Sequence, residues 1–168
     1  MDIHVAQKIY IDHNCNYELM KNDNSIDEYN KYNVSKELEL KWQELYKDDL
    51  IKNMHMSLNN KAEFAEKLAK ITNETNDFDS LIAIFNETKE LYKINDSANV
   101  IEMCQIIPNA ISPKMLRDNY SEVRGIVIDV MDMLEVLLRK DMVNTEKQKD
   151  IRASLDIEGI KKVMKKHE

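Results

Sequence analysis

Apolar side chains recur every three or four residues along most of this chain, the spacing that places them on one face of an α-helix. The clearest stripe follows Ser112 and Pro113, a capping hydroxyl with proline at the first helical position. Its apolar members are Val123, Ile126, Val127, Val130, Leu134, Leu137 and Leu138. Because this stripe is the longest, we expect its helix to be central and largely buried.

Shorter stripes of the same period precede it. Further helices are predicted over about residues 3–20 with a break near His13, over 35–57, after Asn60, after Asn76-Asp77, and after Ser97 with an end before Pro108. The stripe of the 35–57 helix begins with Leu38, Trp42 and Leu45. Residues 22–33 are rich in Asn, Asp and Tyr without a clear period, and we predict a loop there.

These elements predict an all-α fold, a single-domain bundle of six or seven helices over residues 1–168. Thr145 and Gln148 have the spacing of a capping box and begin a terminal helix at 145–168, so that residues 1–144 form the core of the domain. The chain has only two glycines and two prolines, too few for the many turns that β-structure needs.

Charge and composition restrict the partners of the chain. A formal net charge of −7 repels phosphate backbones, so no nucleic-acid partner is expected. The lysines near the C-terminus are expected to interact with a helix dipole. The two cysteines lie far apart in sequence, which favours a reducing compartment. No apolar run approaches the ~20 residues of a membrane span, and no signal peptide is visible, so we expect a cytoplasmic protein without a membrane anchor.

A search for catalytic or metal-binding patterns finds none that is complete. His13 and Cys15 are close in sequence, with His4 upstream, but a structural zinc site usually needs four ligands and no second pair exists. Neither a nucleophile elbow nor a glycine-rich phosphate loop is present. The acidic residues opposite the apolar stripe, on the helix predicted after Pro113, fit a solvated helix face. We therefore expect no enzyme activity, no metal and no cofactor.

One stretch carries a resemblance. The segment Tyr17-x-Leu19-x-Lys21-Asn22-Asp23-Asn24 precedes Leu50-Ile51-Lys52-Asn53-Met54-x-Met56-Ser57-Leu58, and Ile82-Ala83-Ile84 follows. In sequence and spacing these segments resemble the poxviral Bcl-2-like family, small helical proteins that blunt host cell-death and inflammatory signalling. The resemblance covers about half of the chain.

The resemblance implies a Bcl-2-like fold that binds a host signalling adaptor upstream of NF-κB or a death-motif protein, in the host cell cytoplasm. The implied groove walls are Leu50, Ile51, Met54, Leu58, Phe64, Leu68, Leu81, Ile84 and Phe85. A homodimer would pair through a face around Tyr17 and Ile128. For any single groove candidate, the helical spacing favours a core position over a groove position, because apolar stripes of this period are usually buried. The Asn-Trp-Gly-Arg box of the cellular relatives is absent, which favours a closed cleft and the inflammatory target.

A second hypothesis comes from a different class of protein. An acidic, helical, cysteine-poor chain also suits a bacterial or phage antitoxin, immunity or anti-defence protein that inhibits its target through an acidic surface. A long apolar groove would favour the first hypothesis, whereas an acidic concave face or a toxin gene next to its own gene would favour the second.

Overall fold

The structure, a computed structural model, describes residues 1–139 and contains helices without any strand in that range. The prediction of an all-α fold is confirmed there. The helices are α1 (Ile3–Asp12), α2 (Tyr17–Asn22), α3 (Ile26–Asn30), α4 (Lys36–Met56), α5 (Lys61–Thr75), α6 (Phe78–Lys93), α7 (Ser97–Ala110), α8 (Pro113–Asp118) and α9 (Tyr120–Arg139). The predicted terminal helix at 145–168 lies outside the described residues.

The prediction of six or seven helices is wrong, because the chain contains short helices that its apolar periodicity did not resolve. The first predicted segment divides into α1 and α2 at Asn14 and Cys15, whose φ angles are 53° and 57°, which agrees with the predicted break near His13. The predicted loop at 22–33 contains α3, which buries Tyr29. The long helix predicted after Ser112 divides at Asn119 into α8 and α9.

Asparagine ends several helices in the left-handed backbone conformation, where glycine is the usual residue. Asn14, Asn24, Asn76 and Asn95 have φ angles of 53°, 65°, 54° and 60°. In each case the asparagine N–H donates to the carbonyl three residues earlier, and the next N–H donates to the carbonyl five residues before it. This pair of bonds is the Schellman motif. The N-cap of the next helix follows within two positions, so these turns are very short.

Side chains at the N-caps fix the starts of five helices by accepting a backbone N–H of the first turn. The capping residues are Asp2, Asn16, Ser35, Asp77 and Ser112. Of the predicted caps, Asp77 and Ser112 are confirmed. Asn60 precedes α5 as predicted, but its side chain makes no capping bond.

Helix α7 lies at the centre of the described core and packs against both α5 and α6. Half of its residues are buried, and its exposed residues Ala98, Glu102 and Asn109 lie along one side. Its buried residues are Val100, Ile101, Met103, Cys104, Ile106, Ile107 and Ala110. The predicted end before Pro108 is wrong, because a proline in the last turn removes only one intrahelical hydrogen bond and α7 continues to Ala110.

Helix α9 packs against α7 and α8 rather than forming the centre of the bundle, so that prediction is wrong. The stripe from Val123 to Leu137 is buried as predicted, with Val130 and Leu134 only 3% and 4% exposed. Its opposite face exposes Asp129, Asp132 and Glu135. A helix with one charged face must keep that face in water, which places α9 at the side of the bundle.

Candidate functional site

The predicted groove residues occupy three different environments. The buried members are Leu50, Met54, Leu68, Leu81, Ile84 and Phe85. Ile51 and Phe64 are half-buried against the same core, and Leu58 is 86% exposed just beyond α4. Because α4, α5 and α6 contact one another, the chain's own side chains fill the space between them. The arrangement corresponds to the closed cleft and leaves three of the nine candidates with surface for a partner.

A buried ion pair holds the C-terminal end of α4 against α5 and α6. The Lys61 ammonium donates to the Met54 and His55 carbonyl oxygens at 3.0 and 2.8 Å and to the Glu87 carboxylate at 2.7 Å. The other oxygen of Glu87 lies 3.0 Å from Nδ1 of His55. Both ionic side chains are nearly buried, at 12% and 10% exposure. The Lys61 cation at the last carbonyl oxygens of α4 also interacts favourably with the negative end of the helix dipole.

The inner face of α4 differs from the predicted stripe. Glu39 and Lys47 are buried there beside Trp42, whereas Leu45, a predicted stripe member, is 61% exposed. The ammonium of Lys47 lies 2.7 Å from Glu44 and 2.8 Å from Asp77, so this buried charge is paired. Trp42, Leu50 and Met54 are buried as the stripe predicts, so Leu45 is the stripe member within α4 that apolar periodicity placed on the wrong side.

Tyrosines from three helices surround Glu39. The hydroxyls of Tyr17 and Tyr29 both donate to Oε1 of Glu39, the latter at 2.7 Å. The ring of Tyr10 stacks on that of Tyr29 with 5.6 Å between centroids and lies 6.0 Å from Trp42. Burial, followed by the hydrogen bond to Glu39, raises the pKa of Tyr17 and Tyr29, so both phenols stay protonated donors.

A cavity of about 300 Å³ opens beside this cluster, between α1, α2, α4 and α5. Its lining combines rings, aliphatic side chains, carboxylates, an amide and a lysine: Tyr10, Cys15, Tyr17, Lys36, Glu39, Leu40, Gln43, Ile71, Glu74 and Thr75. Sequence reasoning missed this site. The tyrosine-rich stretch before α4 was a usable signal, but nothing in the sequence marked Glu39 as an inward-facing residue.

The residues considered for zinc have other contacts. Nε2 of His13 lies 2.5 Å from Asp23, and its Nδ1 lies 2.6 Å from the Ile9 carbonyl oxygen. Burial is the main cause that raises the pKa of Cys15 to about 12, which keeps its thiol protonated and unreactive. Across residues 1–139, no three His, Cys, Asp or Glu side chains form a group that could hold a metal ion.

The two dimer-face candidates lie on helices with different neighbours. Tyr17 and Ile128 are each 42% exposed. The main contacts of α2 are with α1 and α3, whereas those of α9 are with α7 and α8. A homodimer through this face stays a prediction.

Comparisons with known proteins provide no match from which a function could be inferred. No protein-family model, no curated protein and no solved structure matches it. In the part of the chain that the structure describes, no helix is both long enough and apolar enough to cross a bilayer.

Proposed function

We propose that this protein acts without catalysis, as a viral Bcl-2-like protein that holds a host signalling adaptor in the cytoplasm and thereby lowers NF-κB-type signalling. One observation carries the choice of this target over a death-motif helix. Six of the nine groove candidates, among them Met54 and Phe85, are packed into the core. A partner helix needs an accessible apolar groove for its anchoring side chains, so we infer that a partner protein binds at another surface.

The outer face of α4 is the surface that we propose for the adaptor. Leu40 and Leu45 are 59% and 61% exposed there. They border a shallow depression that also includes Glu37, Lys41 and Glu44. Exposed leucines within a polar rim are typical of protein-binding patches, in which apolar anchors supply affinity and charges supply orientation.

A reporter assay in transfected cells tests the proposal. We expect the protein to lower NF-κB reporter output, and the Leu40→Glu/Leu45→Glu variant to lose that effect while keeping its helical circular dichroism. Ile94→Glu, which alters a 71% exposed apolar residue at the end of α6, is the matched control and should inhibit like the original chain. A death-motif peptide should bind weakly or not at all.

Tight binding of the death-motif peptide would shift the target to apoptosis. If reporter output does not change and the peptide does not bind, the viral signalling function is wrong.

The alternative, an acidic helical inhibitor of the antitoxin or immunity type, is favoured by the charge of the same face. Glu37, Glu44 and Asp48 are all exposed along α4, with Lys41 as the cation among them. An acidic surface of this kind would capture a basic target with strong salt dependence. A toxin gene adjacent to the gene for this chain, with rescue of growth on co-expression, would support this alternative over the first proposal.

A further inference from the structure

The cavity between α1, α2, α4 and α5 has a negative interior. Glu39 reaches it from α4 and Glu74 from α5. Both carboxylates raise the pKa of Cys15, after the larger effect of its burial. The rings of Tyr10 and Tyr17 also line the cavity, with centroids 6.2 Å apart.

Neither carboxylate has a cation as partner among residues 1–139. Glu39 is only 7% exposed, and the hydroxyls of Tyr17 and Tyr29 both donate to its Oε1. Glu74 accepts one bond, from the Asn16 side-chain amide at 2.5 Å. The nearby Lys47 is already paired with Glu44 and Asp77. Glu39 is buried and Glu74 is exposed. A cationic ligand would give the buried Glu39 carboxylate the oppositely charged partner that buried charges ordinarily have.

Lys36 also lines the cavity, yet it forms no ion pair with either carboxylate in the described structure. Lys36 is the first residue of α4 and is exposed. The lining therefore offers two carboxylates, aromatic rings and the buried aliphatic side chain of Ile71. A guanidinium group matches this set, because its fork bonds carboxylates while its plane stacks on rings.

We propose that this cavity binds a guanidinium group, with Glu39 and Glu74 as its anionic contacts and Tyr10 and Tyr17 as its aromatic walls. The volume of about 300 Å³ lies at the small end of ligand sites and suits an arginine side chain rather than a bare metal ion. This inference is independent of the proposed function, since the guanidinium belongs either to free arginine or to an arginine of a polypeptide.

Titration with N-acetyl-arginine methylamide, followed by NMR of the full chain, tests the proposal. The side-chain NH₂ groups of Asn16 and Gln43 donate to Glu74 and Tyr10, so their resonances report on the cavity. We expect saturable shifts at both, and none at the distant Asn53 amide, which donates to Asp49. The citrulline analogue has the same shape without the charge and should give no saturable shift.

Glu74→Gln should weaken binding about tenfold, as expected for the loss of one charge-assisted contact. Glu66→Gln removes the same charge from an exposed position of α5 and should leave the affinity unchanged. Glu39→Gln should also weaken binding, but it alters the tyrosine cluster. If Glu39→Gln does not fold, Glu74→Gln still tests the proposal.

Two further results complete the test. Tighter binding of free arginine than of the blocked amide would assign the site to the free amino acid, whereas equal or weaker binding of free arginine would assign it to a polypeptide side chain. Equal shifts with the citrulline analogue, an equal loss of affinity in Glu66→Gln, or no saturable shift would each overturn the proposal.

Discussion

At the scale of single residues, the left-handed asparagines carry much of the chain's turn geometry. Asn76 has a φ angle of 54°, in the left-handed region of backbone conformation. Most residues other than glycine are strained in that region, whereas a short polar side chain such as that of asparagine tolerates it. Asn76→Ala should lower the free energy of unfolding by about 1 kcal/mol, whereas Asn76→Gly should be close to neutral.

Urea unfolding of both variants measures this difference. Asn86, exposed within α6, is the matched control, because Asn86→Ala in a helix interior should be neutral or slightly stabilising. Equal effects of alanine and glycine at position 76 would contradict the role of its backbone conformation.

The pair formed by His13 and Asp23 makes stability depend on pH. The hydrogen bond with Asp23, followed by that with the Ile9 carbonyl, raises the pKa of His13 above its ordinary 6.5. Hydrogen bonds from Ser25 and then His13 lower the pKa of Asp23 from 3.8 to about 2. The histidine contribution is complete below pH 6.5 and is lost as pH rises through the folded pKa. The aspartate contribution is present above pH 3.8 and is lost as pH falls toward 2.

His13→Gln should therefore reduce stability most between about pH 4 and 6.5, where both groups are charged in the folded chain. Urea midpoints of the original chain and the variant should differ more at pH 5 than at pH 9. His4→Gln changes an exposed histidine that contacts Gln7 and should show a smaller difference at pH 5. A difference in urea midpoint between the original chain and His13→Gln that increases toward pH 9 would rule out the ionic contribution.

At the scale of elements, the buried stripe of α9 gives the sharpest stability prediction. Leu134 is 4% exposed, so Leu134→Ala should cost on the order of 2–5 kcal/mol through lost burial and the cavity left behind. Ile128 lies on the other side of the same helix at 42% exposure, and Ile128→Ala should cost much less. Denaturant unfolding of the two variants compares them directly, and similar losses would mean that α9 does not dock through its stripe.

The same comparison shows which elements could be predicted from sequence. The α9 stripe was readable because its apolar and charged positions separate cleanly around the helix. On α4 the separation fails, because Glu39 and Lys47 face inward with partners on other helices while Leu45 faces out. Those partners, Tyr29 and Asp77 among them, are distant contacts that no local period encodes.

The candidate site was less predictable than the fold for the same reason. Its lining comes from four helices, and the α1–α2 turn that brings Cys15 to it depends on two consecutive left-handed residues, Asn14 and Cys15. Eight of the nine groove candidates lie on helices and Leu58 lies between α4 and α5, but periodicity does not distinguish a core face from an open groove.

At the scale of the whole molecule, the closed cleft means that a substitution at a buried groove candidate affects stability as well as partner binding. Met54 is 1% exposed, so Met54→Glu buries a carboxylate and should cost on the order of 4 kcal/mol or more, lowering the thermal midpoint sharply. Leu58→Glu, at an 86% exposed position, should leave the midpoint nearly unchanged. Loss of reporter inhibition in both variants would point to recognition near the end of α4, whereas loss in Met54→Glu alone would reflect unfolding.

The left-handed asparagines have a consequence for how such a protein can be encoded. Asparagine codons begin with two adenines, whereas glycine codons begin with two guanines. Because asparagine takes the left-handed position after α1, α2, α5 and α6, those helix ends need no glycine. A coding sequence poor in guanine and cytosine can therefore specify sharp turns between these helices.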